Sequence, residues 1–175
     1  MLELIDRPAS AVPEAKSTAH EKLVIFAWSG DLDRVWPTLI LATTAAASGM
    51  ATTVFFTFWG LFPLVREDRR ITGKNLMQKM LALMNRGGID HLKLSKLQML
   101  GAGSGMMKVL AKQQHVASPA ELLASAIELG VKLIPCQMTM DMMGLTKADL
   151  IEGVEEPAGA MTAMLEAKAA VTLFI

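Results

Sequence analysis

Short apolar runs alternate with helical patterns along most of this chain. The runs are rich in β-branched and aromatic residues, which is typical of strands buried on both faces of a parallel sheet. They cover residues 22–28, 52–58, 131–136 and 171–175. Because helical segments separate them, the pattern predicts an α/β fold: a three-layer α/β/α sandwich around a mainly parallel sheet of four or five strands.

Helix starts are marked clearly in the second half of the chain. Ser118 and Glu121 have capping-box spacing, and a proline follows Ser118 at the first helical position. Thr146 and Asp149 repeat the spacing with a shorter acid, which predicts a second, short helix. Pro157 is expected to open the last, alanine-rich helix.

The chain is expected to form one domain over residues 21–175, after a flexible tail at 1–20. The connection at 59–74 is long and carries a cluster of charges, as functional loops often do. A helix over 76–84 is predicted by leucine and methionine at three- to four-residue spacing.

Composition excludes several classes of protein. The 175 residues are 52% hydrophobic and carry no formal net charge, so no nucleic-acid partner is expected. No charge occurs between Arg34 and Arg66, but threonines and a Ser-Gly turn interrupt that stretch, so no membrane association is expected. No secretory signal pattern is visible. A single cysteine suits a reducing compartment, here the cytoplasm.

The charges are unevenly distributed. Residues 61–113 contain ten Lys/Arg and three Asp/Glu, whereas residues 114–175 contain three and eight. Such asymmetry can reflect solvated faces without a binding function. The functional interpretation is a basic rim that attracts a small anion or an acidic partner.

Cys136 is the only cysteine, and it ends the apolar run 131–136, directly before a short helical stretch. At such a junction a thiol faces the carboxyl edge of the sheet and the first N–H groups of a helix, which favour the thiolate. The alternative is a small buried side chain without chemistry. The pattern alone leaves both open.

Further candidates lie close to Cys136 in sequence or at the end of the first strand. Gln137 offers an amide and Asp141 a carboxylate. Met138 and the methionines that follow it can form an apolar wall around the thiol, although plain core packing is the favoured interpretation. The strand-end residues that complete the predicted crevice are Ser29, Gly30, Asp31 and, at the start of the long connection, Trp59.

No metal or cofactor is expected. The three histidines have no metal-binding spacing, and one cysteine cannot form a multi-cysteine zinc site. The glycine-rich turn at 101–105 lacks the lysine and hydroxyl of a P-loop. Methionines at helical spacing favour core packing over soft-metal binding.

Four segments together resemble the DsrE-like sulfurtransferases of the DsrE/DsrF/DsrH superfamily, in the branch associated with rhodanese and TusA in sulfur oxidisers. The similarity covers most of residues 22–175. Its segments are FAWSGDLD (26–33), FFTFWGL (55–61), LKLSKL (92–97) and IPCQMTMDMMG (134–144). The last is the most specific.

The resemblance implies an oligomer (a trimer, tetramer or hexamer) whose Cys136 carries sulfur as a persulfide or bound thiosulfate. It implies exchange with a TusA-type sulfur carrier, and with a rhodanese, in dissimilatory sulfur metabolism. Without a second cysteine, release through an internal disulfide is excluded. The alternatives are a one-cysteine thiol peroxidase, although Leu133 replaces the threonine of the usual Thr-x-x-Cys arrangement, and a non-catalytic assembly module with a buried cysteine.

Overall fold

The computed structural model describes residues 22–68, 78, 87–96 and 101–175. The predicted tail at 1–20 and nearly all of the predicted helix at 76–84 lie outside the described residues.

Four strands and five α-helices occur in the described part of the chain. The strands are β1 (Lys22–Ala27), β2 (Ala51–Phe56), β3 (Lys132–Pro135) and β4 (Val171–Phe174). The helices are α1 (Leu32–Ala47), α2 (Ala102–Gln113), α3 (Pro119–Glu128), α4 (Gln137–Met143) and α5 (Ala160–Glu166). Short 3-10 helices cover Phe58–Leu64, Ile89–His91 and Lys147–Asp149.

The four strands form one parallel sheet in the order β3-β2-β1-β4. The register pairs Phe26 with Phe55, and Phe55 with Ile134. Phe56 pairs with Pro135 at the carboxyl end, so the residues that follow, Thr57 and Cys136, leave the sheet side by side.

The two faces of the sheet are covered unequally. On one face, α1 and α3 pack Leu39 and Leu123 into the main core, together with Ile25 and Val54. On the other face, α5 contributes Ala163 to a small cluster. The strand order explains this difference. The connections β1 to β2 and β2 to β3 run in one direction across the sheet, whereas the connection from β3 to β4 runs in the opposite direction. Right-handed crossovers that run in opposite directions place their helices on opposite faces of the sheet.

The sequence predicted this architecture correctly: the mainly parallel sheet of four or five strands is a helix-covered sheet of four parallel strands. The Ser118 capping box is present: Ser118 N–H donates to Glu121 Oε2 at 2.7 Å, and Glu121 N–H donates to Ser118 Oγ at 3.3 Å. Thr146 N–H donates to the Asp149 carboxylate at 2.8 Å in the same way.

Some predicted boundaries were wrong. β2 ends at Phe56 instead of residue 58, because the backbone turns at Phe58, which has a φ of 47°. The seven residues that follow form a 3-10 helix inside the predicted long connection. Pro157 does not open α5, since the residue after it, Ala158, pairs with Cys136 as an isolated bridge and delays the helix to Ala160.

Within the described residues, no helix combines the length and the hydropathy needed to cross a bilayer.

Candidate functional site

Cys136 lies between β3 and α4 and is fixed on both sides by backbone hydrogen bonds. Its N–H donates to the Phe56 carbonyl at 2.9 Å, and its carbonyl accepts from Met140 N–H at 3.0 Å. Its neighbour Gln137 donates to the Ala158 carbonyl at 3.0 Å. Cys136 is the N-cap residue of α4. These hydrogen bonds to β2, to α4 and to the segment before α5 fix the backbone that carries the thiol.

The thiol lies under a thin apolar cover on the less protected face of the sheet. Cys136 is 3% exposed and belongs to a small cluster with Phe55, Ile134 and Ala163. Phe26 and Ala158 pack against that cluster. On the α5 side the cluster contains Ala163, which is itself buried, and Ala158 packs against it.

Two opposing effects set the acidity of this thiol. Burial raises the pKa of Cys136, whereas hydrogen-bond donors lower it: the hydroxyl and N–H of Thr139, the hydroxyl of Thr57 and the N–H of Met138. The donors outweigh burial, so the pKa lies below that of an ordinary cysteine. Sγ makes no capping hydrogen bond with an N–H group. Donors interact more strongly with an ionised acceptor than with a neutral one, so the donors around Sγ favour the thiolate over the thiol.

The two threonines form a hydroxyl pair beside the thiol. Thr57 Oγ1 lies 3.1 Å from Thr139 Oγ1, and Phe58 N–H donates to Thr139 Oγ1 at 3.1 Å. Thr139 is 2% exposed, and Thr57 is half-buried. Sequence reasoning missed both residues, although Thr139 stands at the third helical position after an N-cap, where cap interactions are expected.

Ser29, Gly30 and Asp31 lie at the end of β1, which is separated from β3 by β2. Ser29 Oγ donates to Asp31 Oδ2 at 3.0 Å, and Asp31 is the N-cap residue of α1. Gly30 packs so closely on the next loop that an added Cβ would lie 2.5 Å from the Trp59 carbonyl oxygen. Gly30 thus packs the loop after β1 against the loop after β2. The hydrogen bonds between Ser29 and Asp31 lie at the start of α1.

The predicted neighbours of Cys136 on α4 point to solvent. Gln137 Nε2 donates to Asp141 Oδ1 at 2.8 Å, and both side chains are exposed. Met138 is 69% exposed. Trp59 is 41% exposed and stacks on Phe62.

The methionines of α4 do not form a wall around the thiol, and two of them pack in the core as the favoured interpretation expected. Met140 and Met143 are buried in the main core on the α1 side of the sheet, and Met138 and Met142 are exposed. The helical period of α4 sends alternate methionines inward and outward, whereas the thiol, at the N-cap, turns towards Phe55 and Ile134.

The position of Cys136 in the sheet also differs from the crevice expected for α/β folds. Strand order reverses between β1 and β4, and β3 is an edge strand. Trp28 and Phe174 stack with ring centroids 6.4 Å apart beside the reversal point. Cys136 lies at the carboxyl end of the sheet as predicted, but two strands away from the reversal point where ligands usually bind.

No group of His, Cys, Asp and Glu side chains with metal-binding geometry occurs among the described residues.

Comparisons of sequence match this chain to one family model and to two curated relatives. The family model described as "DsrE/DsrF/DrsH-like family" matches residues 19–174. The chain is 41% identical over 145 residues to the sulfur carrier protein DsrE2 of Allochromatium vinosum, covering 78% of this chain and 86% of that protein. It is 35% identical over 161 residues to the uncharacterized protein YrkE of Bacillus subtilis, covering 91% and 99%.

Solved structures agree on the fold. The ychN protein from E. coli has a TM-score of 0.54 at 14% identity, covering 88% of this chain and 98% of that chain. MTH1491 from Methanobacterium thermoautotrophicum has a TM-score of 0.50 at 11% identity, with the same coverage. The family match spans nearly all of the chain, and this protein belongs to the DsrE/DsrF/DrsH-like family.

Proposed function

We propose that this protein is a sulfur carrier that binds sulfane sulfur on Cys136 and passes it to the thiol of a second protein. Family membership and the relative named as a sulfur carrier support a sulfur-transfer role in general. The observation that carries the proposal is the environment of Sγ: a thiol at a strand end whose neutral donors lower its pKa despite burial. Transfer between thiols needs a thiolate as nucleophile.

Loading and discharge are two displacements at sulfur. In loading, the Cys136 thiolate attacks the sulfane sulfur of a donor R–S–SH; the Sγ–Sδ bond forms, and R–S⁻ leaves with the electron pair of the broken bond. In discharge, an acceptor thiolate R′–S⁻ attacks Sδ of the Cys136 persulfide, R′–S–SH forms, and Sγ leaves as a thiolate. The chain has no second cysteine, so the acceptor must be another molecule.

The partners and location follow from the resemblance. We propose a TusA-type carrier as the acceptor or donor and a rhodanese upstream. Thiosulfate is held as a thiosulfonate when the Cys136 thiolate attacks a sulfane sulfur of tetrathionate and a thiosulfate ion leaves with the electron pair of the broken S–S bond. We propose the cytoplasm as the location, because a single free thiol persists in a reducing compartment.

Within the basic segment, two of the described cations lie in ion pairs: Arg66 with Asp68 at 2.8 Å and Lys108 with Asp90 at 3.8 Å. The anion-attracting rim that we propose would use the other described lysines, Lys93, Lys96 and Lys112, together with basic residues outside the described part.

The proposal is tested by loading the purified wild-type protein. After incubation with polysulfide or tetrathionate, intact-mass and peptide mass spectrometry are expected to show an adduct on the Cys136 peptide that cyanide removes. Incubation with hydrogen peroxide serves as the comparison, and consumption at the rate of a free thiol is expected. The absence of an adduct, or peroxide turnover far above that rate, would reject sulfur carriage in favour of the inert or peroxidase alternatives.

We also propose that the thinly covered face of the sheet packs against a second copy of this chain. Met161, Met164 and Leu165 on α5 are 74%, 62% and 65% exposed, and Phe174 on the edge strand is 71% exposed. Large apolar side chains grouped in this way mark contact surfaces. The face also lies over Cys136, so assembly would shield the thiol further.

Met164→Glu is expected to reduce the oligomer to smaller species, because a carboxylate would be desolvated in the contact. Sedimentation velocity compares the variant with wild type, for a protomer of 18.9 kDa. Met106→Glu is the matched control, since Met106 is 60% exposed on α2. A monomeric wild type, or dissociation by the control alone, would contradict this interface.

A further inference from the structure

The Thr57–Thr139 hydroxyl pair is built into the end of β2 and the first turn of α4. Cys136 N–H donates to Phe56 at 2.9 Å, which holds the two chain segments in register. Phe58 has a φ of 47°, an uncommon value for a bulky residue. That turn aims Phe58 N–H at Thr139 Oγ1, 3.1 Å away. Backbone strain at such a point is often kept for function.

Each hydroxyl of the Thr57–Thr139 pair has one proton to donate. Thr139 Oγ1 accepts from Phe58 N–H, so its own proton is available for Sγ or for Thr57. Thr57 has one hydroxyl proton, which is available for Sγ or for Thr139, 3.1 Å away. Thr57 and Cys136 follow the paired residues Phe56 and Pro135, which places the hydroxyl pair next to the thiol. When sulfur carries a charge, both protons gain by turning to it, in keeping with the lowered pKa of Cys136.

The donors with the largest effects on Sγ are neutral. The charged groups on the elements packed around it are engaged elsewhere: Asp141 on α4 accepts from Gln137 at 2.8 Å, and Glu166 on α5 pairs with Lys132 of β3 at 3.2 Å. Neutral donors interact strongly with a sulfur anion and weakly with a neutral disulfide-like sulfur. Their effect therefore depends on whether Sγ carries charge.

We propose that the Thr57–Thr139 pair stabilises Sγ as a leaving thiolate and so accelerates discharge of bound sulfur more than loading. The inference rests on the proposed sulfur carriage and assigns a step of it to these hydroxyls. In the persulfide Sγ is neutral, and charge returns to it as the Sγ–Sδ bond breaks. Donors already in place then stabilise the transition state more than the ground state.

Loading responds differently to the same hydroxyls. The hydroxyls increase the fraction of thiolate at neutral pH, but they also reduce the intrinsic nucleophilicity of that thiolate, which falls as the pKa falls. At a pH above the pKa of Cys136 the thiol is fully ionised, so the hydroxyls no longer increase the thiolate fraction. They still stabilise the leaving thiolate during discharge. Measurements at high pH therefore distinguish the effect on discharge from the effect on loading.

Thr139→Val removes the hydroxyl with little change of shape, and Thr139→Ser restores it as the matched control. Alkylation of Cys136 by iodoacetamide across pH, which does not depend on sulfur carriage, is expected to give a higher midpoint for the valine variant and a wild-type midpoint for serine. Thr57→Val provides the second site in case valine at the buried position 139 prevents folding.

Single-turnover discharge is followed with cyanide, which attacks Sδ and forms thiocyanate as Sγ leaves. Thr139→Val is expected to slow this step about threefold to tenfold. At a pH above the alkylation midpoints of both proteins, the rate at which polysulfide loads the valine variant should equal or exceed the wild-type rate. The wild type should still discharge faster than the variant at that pH.

Three outcomes would overturn the inference. If the discharge and loading rates of the variant both return to the wild-type values at high pH, the hydroxyls act through the thiolate fraction alone. Equal slowing of both steps at every pH, with an unchanged alkylation midpoint, would indicate a structural effect. A loaded variant that discharges at the wild-type rate would remove the hydroxyls from the reaction. Failure of the wild type to load at all would instead reject the proposed function itself.

Discussion

Cys136→Ser is expected to abolish sulfur loading and leave the fold intact. A serine hydroxyl stays protonated at neutral pH and cannot attack sulfane sulfur, so loading should fall to the background of protein without a thiol. The position should accept the change, because Cys136 is 3% exposed beside two threonine hydroxyls that can bond to the serine oxygen. We expect a stability loss of about 1 kcal/mol or less.

The measurement is intact-mass spectrometry after incubation with polysulfide, paired with thermal unfolding. Met138→Leu is the matched control, because Met138 is adjacent in the motif but 69% exposed and should load as wild type. Native wild type alkylated at Cys136 should also fail to load, which tests the thiol without a substitution. An equal adduct on Cys136→Ser would place the sulfur elsewhere.

The fold was predictable because its signals are local. Strands buried on both faces appear as continuous apolar runs, and the Ser118 box marks the start of α3 to the residue. Both signals need only neighbouring residues, so one sequence is enough to read them. The turn at Phe58 has no such signal, since a positive φ at phenylalanine is imposed by the packing around it.

The position of Cys136 between a strand end and a helix start was predictable from the sequence, whereas its surroundings were not. Thr57 lies 82 residues from Thr139, and the two meet because β2 and β3 are neighbours, which strand count alone does not determine. The same missing strand order led the prediction to group Ser29 and Asp31 with the thiol, although β2 lies between them.

The methionine wall, the alternative to core packing, did not form for a different reason. The residue types were right for an apolar cover, but a helix divides consecutive side chains between its two faces. Met140 and Met143 therefore stabilise the main core, and the alanines at 158 and 163 cover the thiol instead. Small side chains give no apolar pattern strong enough to be recognised in sequence.

Gly60→Ala is expected to destabilise the protein by about 3 kcal/mol and to weaken the site at Cys136. A Cβ at Gly60 would lie 2.7 Å from the Ala27 carbonyl carbon and closer still to its oxygen. Gly60 N–H also donates to the Trp28 carbonyl at 3.0 Å, so the loop cannot retreat without losing a hydrogen bond. Both obstacles are backbone, which cannot rotate away as a side chain could.

Displacing the loop at Gly60 should also change the surroundings of the Cys136 thiol, because Gly60 N–H also donates to the carbonyl of Thr57 at 3.0 Å. Moving that turn shifts the Thr57 hydroxyl and Phe58 N–H, so the pH midpoint of Cys136 alkylation should rise together with the loss of stability measured by urea unfolding. Gly105→Ala is the matched control: its Cβ would meet nothing within 4 Å, and alanine inside α2 should stabilise by up to about 1 kcal/mol. Since both variants add one methyl group, a Gly60→Ala protein as stable as Gly105→Ala would mean that the β1 and β2 loops are not held together by this close backbone contact.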